Sequence, residues 1–146
     1  MTITNYQAYL DMREKLRKFE VNVSDEFKKG VVNRVYPHKC FDKSFDYIKQ
    51  NGELPGVKYV EGVHTSLLLD HAWIEIDDCI VFEGTFQRFY DKESFYRERK
   101  LVKLVEFGAS ETWHYLFREQ QGLGKPEFDK AKQELLNHRR DENVQG

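Results

Sequence analysis

The chain has 146 residues, a length typical of a single domain. Hydrophobic residues make up 40% of it and aromatic residues 14%, which excludes a disordered chain. The 23 basic and 25 acidic residues nearly cancel, so the composition offers no strongly basic surface for nucleic acid or for an anionic membrane.

Helical periodicity marks the first part of the chain. Apolar residues at helical spacing predict a first helix over residues 5–20. Phe41, Phe45 and Ile48 recur at i, i+4 and i+7, and this spacing predicts a second helix. Cys40 lies at or just before its first turn, where unpaired backbone N–H groups favour a negative charge.

The middle of the chain changes character and favours strands. Asp77-Asp78 is a turn signal that predicts a hairpin between two of them. The aromatic and charged segment 86–96 is expected to form a loop with a helical turn. Segments rich in β-branched and aromatic residues predict four strands, at 57–63, 72–76, 79–82 and 100–107.

Helices return after the last predicted strand. Ser110 is expected to cap a helix in which Trp113, Leu116 and Phe117 share a face. A last amphipathic helix begins at Pro126, a residue that suits the first helical position. The order of elements predicts an α+β fold, with N-terminal helices, a small antiparallel sheet and C-terminal helices. We take residues 1–140 as one domain and residues 141–146 as a frayed tail.

The chain has two cysteines, Cys40 and Cys79, which are too few for a disulfide framework. No stretch approaches the roughly 20 apolar residues of a membrane span. The N-terminus also lacks the basic and then apolar pattern of a signal peptide. We therefore expect a cytoplasmic protein with free thiols and no membrane contact.

Three residues fit the requirements of catalysis by a thiol. Such catalysis needs a cysteine held as thiolate, a histidine that carries protons and a third group that orients the histidine. Cys40 suits the first role through its place at a helix start. His71 stands at the head of a predicted strand, and Glu83 follows the predicted hairpin. Cys40, His71 and Glu83 are therefore the candidate nucleophile, base and orienting acid.

The order of these residues carries a resemblance to a known family. Cys40 opens a helix, His71-Ala72-Trp73 begins a strand, and Glu83-Gly84-Thr85 follows the hairpin turn. This order resembles the papain-like cysteine hydrolases, and among them the transglutaminase-like branch, including its small uncharacterised members. Many members of that branch read His-Ala-Trp and then Asp-Pro-Thr, so glutamate and glycine replace aspartate and proline here. The similar region covers about residues 36–86.

The resemblance implies both a fold and a chemistry. It implies a papain-like or transglutaminase-like α+β domain in which the Cys40 helix packs on an antiparallel sheet that carries His71 and Glu83. The implied activity is attack of a thiol on an amide carbonyl, as in a peptidase, amidase, deamidase or transglutaminase. This chemistry needs no metal or organic cofactor, and its substrate is a protein or peptide. The sequence carries no signature of a particular substrate or oligomeric state.

Hairpin geometry decides whether Glu83 can reach His71. A two-residue loop at Asp77-Asp78 would put Glu83 on the face of the sheet opposite His71. One extra residue between Ile76 and Glu83 reverses that face. The proposed triad therefore predicts a three-residue loop or a bulge. Glu75 shares the face of His71, but it lies further down the strand at about 3.3 Å per residue.

Other roles are open for the residues around Cys40. Asn33, Tyr36 and His38 precede it, where papain-like enzymes often place an oxyanion donor, although each also suits a loop or packing role. Cys79, beside the turn, is expected to be structural.

A metal site is an alternative reading of the histidines and cysteines. Together they supply enough ligands for tetrahedral zinc, but neither Cys-x-x-Cys nor His-Glu-x-x-His spacing is present. We therefore expect no metal. The ligands in question are His38, Cys40, His64, His71 and Cys79.

A second function from another class also remains open. The same fold without chemistry would be a protein-binding module. The aromatic segment from Phe86 to Tyr96 favours it, since Tyr, Phe and Arg are common at interfaces. The departure at Glu83 favours it too. The reactivity of the Cys40 thiol discriminates between the two functions.

Overall fold

The centre of the molecule is a five-stranded antiparallel sheet, seen in a computed structural model that describes residues 2–145 and the side chains of residues 5–140. In chain order the strands are β1 (Val57–His64), β2 (Leu69–Ile76), β3 (Ile80–Glu83), β4 (Arg88–Asp91) and β5 (Leu101–Phe107). Their order across the sheet is β4-β3-β2-β1-β5, which puts β2 in the middle. The α+β class predicted from the sequence is confirmed.

Five α-helices accompany the sheet in the described part of the chain. They are α1 (Thr2–Leu16), α2 (Cys40–Asn51), α3 (Lys92–Arg99), α4 (Ala109–Gln120) and α5 (Pro126–Gln145). The second helix begins at Cys40 and ends at Asn51, as its apolar spacing and the following glycine predict. The last helix begins at Pro126, also as predicted.

Two apolar clusters cover the two faces of the sheet. One contains Tyr59 and Ile74 from the strands and is covered by α2, α4 and α5. The other contains Trp73 and Val81 and includes residues of α1 and α3. Burial of one such side chain contributes about 1.5–3 kcal/mol to folding. Because both faces are covered, β1 is buried along most of its length instead of alternating between inside and outside.

The buried acid Glu61 on β1 has two hydroxyl donors and one ammonium group as direct partners. Glu61 accepts hydrogen bonds from Tyr59 and from Tyr115 Oη, the latter at 2.7 Å. Lys125 Nζ lies 3.0 Å from one oxygen of Glu61 and 3.2 Å from the other. Burial and the adjacent carboxylate raise the pKa of both tyrosines, so their hydroxyls remain donors.

The segment 86–96 differs from its prediction. It is a strand followed by a helix, not a loop with a helical turn, since β4 pairs with β3 along all four of its residues. Phe89 faces Phe82 in this pairing and Tyr90 faces Val81, so the aromatic residues belong to the core. The prediction was wrong because four residues are too few for a periodic pattern to stand out.

Helix boundaries and inner faces also need correction. The first helix ends at Leu16 and a 3₁₀ turn follows, whereas one helix was predicted over 5–20. In α4 the N-cap is Gly108, not Ser110. Of the predicted face of α4, Leu116 packs against the core, and Trp113 and Phe117 are exposed. The most buried aromatic residue of this helix is Tyr115, whose hydroxyl donates a hydrogen bond to Glu61 on β1.

The C-terminal helix runs into the segment predicted as a tail. It extends to Gln145, so the backbone of 141–145 is helical. The side chains of 141–146 lie outside the described residues.

Candidate active site

The hairpin between β2 and β3 has the longer loop that the triad requires. Ile76 pairs with Ile80 and Ile74 pairs with Phe82, which leaves Asp77, Asp78 and Cys79 as a three-residue loop. The two aspartates have φ values of 52° and 61°, in the left-handed region that Asp tolerates better than most residues. With this register Glu83 lies on the same face as His71.

His71 and Glu83 are in direct contact inside the protein. Nε2 of His71 lies 2.8 Å from Oε2 of Glu83, and the two residues are 7% and 1% exposed. The other carboxylate oxygen accepts a hydrogen bond from Thr85 Oγ1 at 2.5 Å. Because a carboxylate accepts, the Nε2 atom carries the hydrogen, and Nδ1 is the nitrogen left to face another group.

Cys40 is a neighbour of the His71 imidazole. It is the first residue of α2, is partly exposed, and lines the same cleft as His71. Burial by itself would lower the pKa of His71, but the charge of Glu83 and the contacts with Glu83 and Cys40 outweigh it and raise the pKa to about 10. His71 is therefore positively charged at neutral pH.

The pKa of Glu83 is lowered, as expected for the anionic partner of a cationic imidazole. Burial would raise it, but the positive charge of His71 and the hydrogen bonds from His71 and Thr85 lower it below the ordinary range. The carboxylate therefore stays ionised although it is buried.

The start of α2 is held next to the end of β3. Tyr36 N–H donates to the carbonyl of Thr85 at 2.7 Å, which ties the segment before Cys40 to the strand. Gly84 allows close contact from the other side, because a Cβ there would lie 2.6 Å from Cβ of Lys43 in the first turn of α2. These two contacts fix Cys40 relative to His71.

Backbone N–H groups at the start of α2 are available to an anion. The N-cap residue, Lys39, makes no capping hydrogen bond with its side chain. The first N–H groups of a helix have no partner within the helix, and they bind negative charge well. They lie beside the Cys40 side chain, where an oxyanion would form on attack by the thiol.

His64, which the sequence offered only as a possible metal ligand, is a further residue of the site. Its ring centre is 4.6 Å from that of His71, and its Nδ1 donates to the carbonyl of Arg99 at 3.0 Å. Burial and the positive charge of His71 lower its pKa to about 4, so it is neutral at pH 7. The register of β1 and β2, which pairs Gly62 with His71, would have revealed this proximity.

The site opens into a cleft of about 590 Å³. Leu67 and Leu69 at its edge are 74% and 55% exposed. Its walls include Cys40, His71, His64, Arg99, Leu67 and Leu69.

The candidate oxyanion donors before Cys40 are not equivalent. His38 lines the cleft, and its ring contacts the Tyr9 hydroxyl through Nδ1 at 3.3 Å. Asn33 instead accepts a hydrogen bond from Arg88 Nη2 at 2.6 Å. Tyr36 stacks under the ammonium of Lys43, 4.0 Å from its ring centre, and neither Asn33 nor Tyr36 lines the cleft.

Glu75, the other acid on the face of His71, belongs to a separate network. It accepts hydrogen bonds from Trp73 Nε1 at 3.0 Å and from Tyr96, and it pairs with Lys103 Nζ at 3.0 Å. It makes no hydrogen bond with His71.

The zinc ligands considered from the sequence do not gather at one point in the described part of the chain. Cys79 lies in the exposed loop at the far end of β2 from His71. Within residues 5–140, one group of three potential ligands is close enough for a metal, formed by Glu75, Asp78 and Glu106. Lys92 and Lys103 already pair with its carboxylates.

No protein-family model matches the chain, and no solved structure matches it significantly. Across residues 2–145, none of the helices has both the length and the apolar character needed to cross a bilayer.

Proposed function

We propose that this protein is a cysteine hydrolase or acyl transferase that acts on an amide bond of a protein or peptide, on a papain-like or transglutaminase-like fold. The observation that carries the proposal is the buried imidazole of His71, which contacts Glu83 through Nε2 and lines the same cleft as Cys40. A cysteine, a histidine and an orienting carboxylate in this order are the parts that thiol catalysis requires.

In the proposed mechanism the Cys40 thiolate attacks the carbonyl carbon of the amide. The carbon–sulfur bond forms as the carbonyl π electrons move onto oxygen, and the N–H groups at the start of α2 stabilise that oxyanion. The resulting tetrahedral species collapses when the carbon–nitrogen bond breaks. His71 gives its proton to the departing nitrogen, which leaves a thioester on Cys40 and a free amine.

The second half of the reaction regenerates the thiolate. Water attacks the thioester in hydrolysis, and a second amine attacks it in acyl transfer. His71 accepts the proton of the attacking group, and Cys40 leaves as thiolate. Glu83 stabilises the charged imidazole and holds its ring in one orientation throughout.

The sequence offered two arguments for an inactive binding module: the departure at Glu83 and the aromatic segment from Phe86 to Tyr96. The positions of these residues support neither argument. Glu83 lies on the face of His71, and the aromatic side chains of Phe86, Phe89 and Phe95 are buried. Exposed leucines beside the cleft instead favour binding of an apolar part of a substrate near Cys40.

The decisive experiment compares two cysteine variants. Purified protein is incubated with a library of peptide amides, with and without an added amine, and the products are identified by mass spectrometry. Cys40→Ala should abolish turnover and leave the thermal unfolding curve nearly unchanged, because Cys40 is only partly buried. Cys79→Ala is the matched control and should retain turnover. Full activity in Cys40→Ala would refute the proposal.

A further inference from the structure

Arg99 is a cation on the wall of the cleft that forms no salt bridge with a described residue. Its Nε atom is buried and makes no hydrogen bond. Guanidinium groups are planar five-donor forks, and a buried donor without a partner is costly. The two Nη groups of Arg99 are not among the buried atoms and also make no hydrogen bond with a described residue, so a molecule that enters the cleft can supply their acceptor.

The position of Arg99 relates it to the proposed catalytic residues. Its carbonyl accepts the hydrogen bond from His64 at 3.0 Å, and the His64 ring in turn lies 4.6 Å from the ring of His71. Its guanidinium carbon is 5.9 Å from the ring centre of Phe86, which supports the side chain from one side. Its charge also lowers the pKa of His64 and Glu83, as expected of a cation close to both.

Its neighbours in the cleft do not explain an unpaired cation. Asp70 pairs with Lys132 at 2.8 Å, and Glu98 is exposed at the rim. A cation in the last turn of α3 is favourable for the helix dipole, but Arg97 in the same turn supplies this from an exposed position.

We propose that Arg99 binds a carboxylate of the substrate, so that the enzyme prefers amides that carry a carboxylate close to the scissile bond. The guanidinium fork is suited to a carboxylate through two parallel hydrogen bonds. This inference rests on the proposed function and adds the substrate class to it. Arg99 would act on substrate choice, while Cys40 and His71 would perform the chemistry.

A matched pair of alkylating reagents tests the proposal without a known substrate. Iodoacetate and iodoacetamide are similar in size, and only iodoacetate carries a carboxylate. With either reagent the Cys40 thiolate forms a sulfur–carbon bond as iodide leaves. In a Cys79→Ser background, intact-mass measurements report alkylation of Cys40 alone. The quantity compared is the ratio of the iodoacetate rate to the iodoacetamide rate.

The expected result is specific to Arg99. Arg99→Met should lower the ratio about tenfold, the effect of one charge-assisted contact; a change in the general reactivity of Cys40 affects both reagents and leaves the ratio as it is. Arg99→Lys should retain part of the preference, because it keeps the charge but loses the fork. Lys100→Met, a neighbouring cation that lines the same cleft, should change the ratio less than about twofold, since exposed charges are screened. His71 is present in every variant, so its own attraction for iodoacetate cancels in the comparison.

The outcomes separate this inference from the function on which it rests. An unchanged ratio in Arg99→Met, with Cys40 still reactive towards iodoacetamide, overturns the role of Arg99 and leaves the proposed function standing. A Cys40 that is inert to both reagents overturns both. Should Arg99→Met fail to fold, Arg99→Lys decides, and an undiminished ratio there overturns recognition by the fork.

Two protective ligands then locate the carboxylate. N-acetylglycine presents a C-terminal carboxylate, and N-acetylaspartyl amide presents an acidic side chain. Each is tested for protection of Cys40 from iodoacetamide. Protection by the first assigns a C-terminal carboxylate and protection by the second an acidic side chain, and either must be lost in Arg99→Met. Protection that persists in Arg99→Met overturns the proposal.

Discussion

Glu83 reaches His71 across a hairpin because the loop between their strands has three residues. The carboxylate Oε2 is 2.8 Å from Nε2 of the imidazole, and both groups are buried. A two-residue loop would have put the two side chains on opposite faces of the sheet. The family that the sequence resembles has an aspartate at the position of Glu83. In this chain the longer glutamate side chain occurs together with one extra loop residue.

The charge of Glu83 is expected to control the protonation of His71. Glu83→Gln keeps the size of the side chain and removes the charge, so the pKa of His71 should fall from about 10 to near or below its ordinary 6.5, because burial then dominates. Alkylation of Cys40 by iodoacetamide at pH 7 should slow by about 10²-fold, the lower end of the effect of a positioned acid–base group. NMR titration of the His71 ring measures the first change and intact mass the second.

Glu75→Gln is the matched control for this experiment. Glu75 is as buried as Glu83 but bonds to Trp73 and Lys103 instead of His71. It should leave the titration of His71 in place. A pKa of His71 that stays high in Glu83→Gln would show that the carboxylate charge is not its cause.

His64 is expected to make the folded state sensitive to mild acid. Its pKa is about 4 in the folded protein and 6.5 in an unfolded chain, so the unfolded state takes up the proton first. Stability should therefore fall as the pH drops from 6.5 towards 4. His64→Asn retains a donor for the Arg99 carbonyl without this titration. It should reduce the loss of stability between pH 7 and pH 5 by about 1 kcal/mol, a figure that allows for the partial exposure of the ring.

The contribution of His71 to stability changes with pH in the opposite direction, and His71 is present in both the wild type and His64→Asn. Its folded pKa is raised, so its contribution is fully present below pH 6.5 and is lost as the pH rises through about 10. It largely cancels in the difference between wild type and His64→Asn. The contribution of Glu83 to stability is present above its ordinary pKa of 4.5 and is lost only below it. It therefore stays constant between pH 7 and pH 5. Urea unfolding at the two pH values measures the difference, and equal losses in both proteins would contradict the prediction.

The sequence was sufficient for the parts of the site that depend on local signals. Cys40 at a helix start follows from the apolar spacing after it, and the hairpin follows from Asp77-Asp78. The residues of the turn did not determine its length, since two aspartates by themselves also fit a two-residue turn. The three-residue loop was expected only as a condition of the proposed triad.

The parts that the sequence did not reveal depend on contacts between distant segments. Thr85 and His64 join the site only through strand register, and Gly84 matters because Lys43 packs against it. Glu61 and Glu75 are buried on covered faces of the sheet, where an acid in a strand would ordinarily indicate an exposed position. Their partners come from segments up to 64 residues away in the chain.

Lys125 is expected to be essential for the stability of the buried acid on β1. Lys125→Met leaves Glu61 with two hydroxyl donors and no cation, and breaking a buried pair in this way costs about 3–5 kcal/mol. Lys132→Met is the control, because Lys132 and Asp70 form a more exposed pair worth about 0–1 kcal/mol. Chemical denaturation of the two variants and the wild type gives both values. A loss below about 1 kcal/mol in Lys125→Met would mean that Glu61 does not depend on the ammonium group.

Gly84 is expected to set the distance between the start of α2 and the end of β3. In Gly84→Ala the new Cβ would lie 2.6 Å from Cβ of Lys43 and 3.1 Å from its carbonyl carbon, so the first turn of α2 must move. Such overpacking costs about 1–3 kcal/mol. A shift of about 1 Å in Cys40 relative to His71 should also slow alkylation of Cys40 by up to about 10²-fold. Gly108→Ala is the control, because its Cβ would meet nothing closer than Glu111 Oε1 at 3.6 Å. Normal alkylation in a destabilised Gly84→Ala protein would show that this contact supports the fold without positioning the thiol.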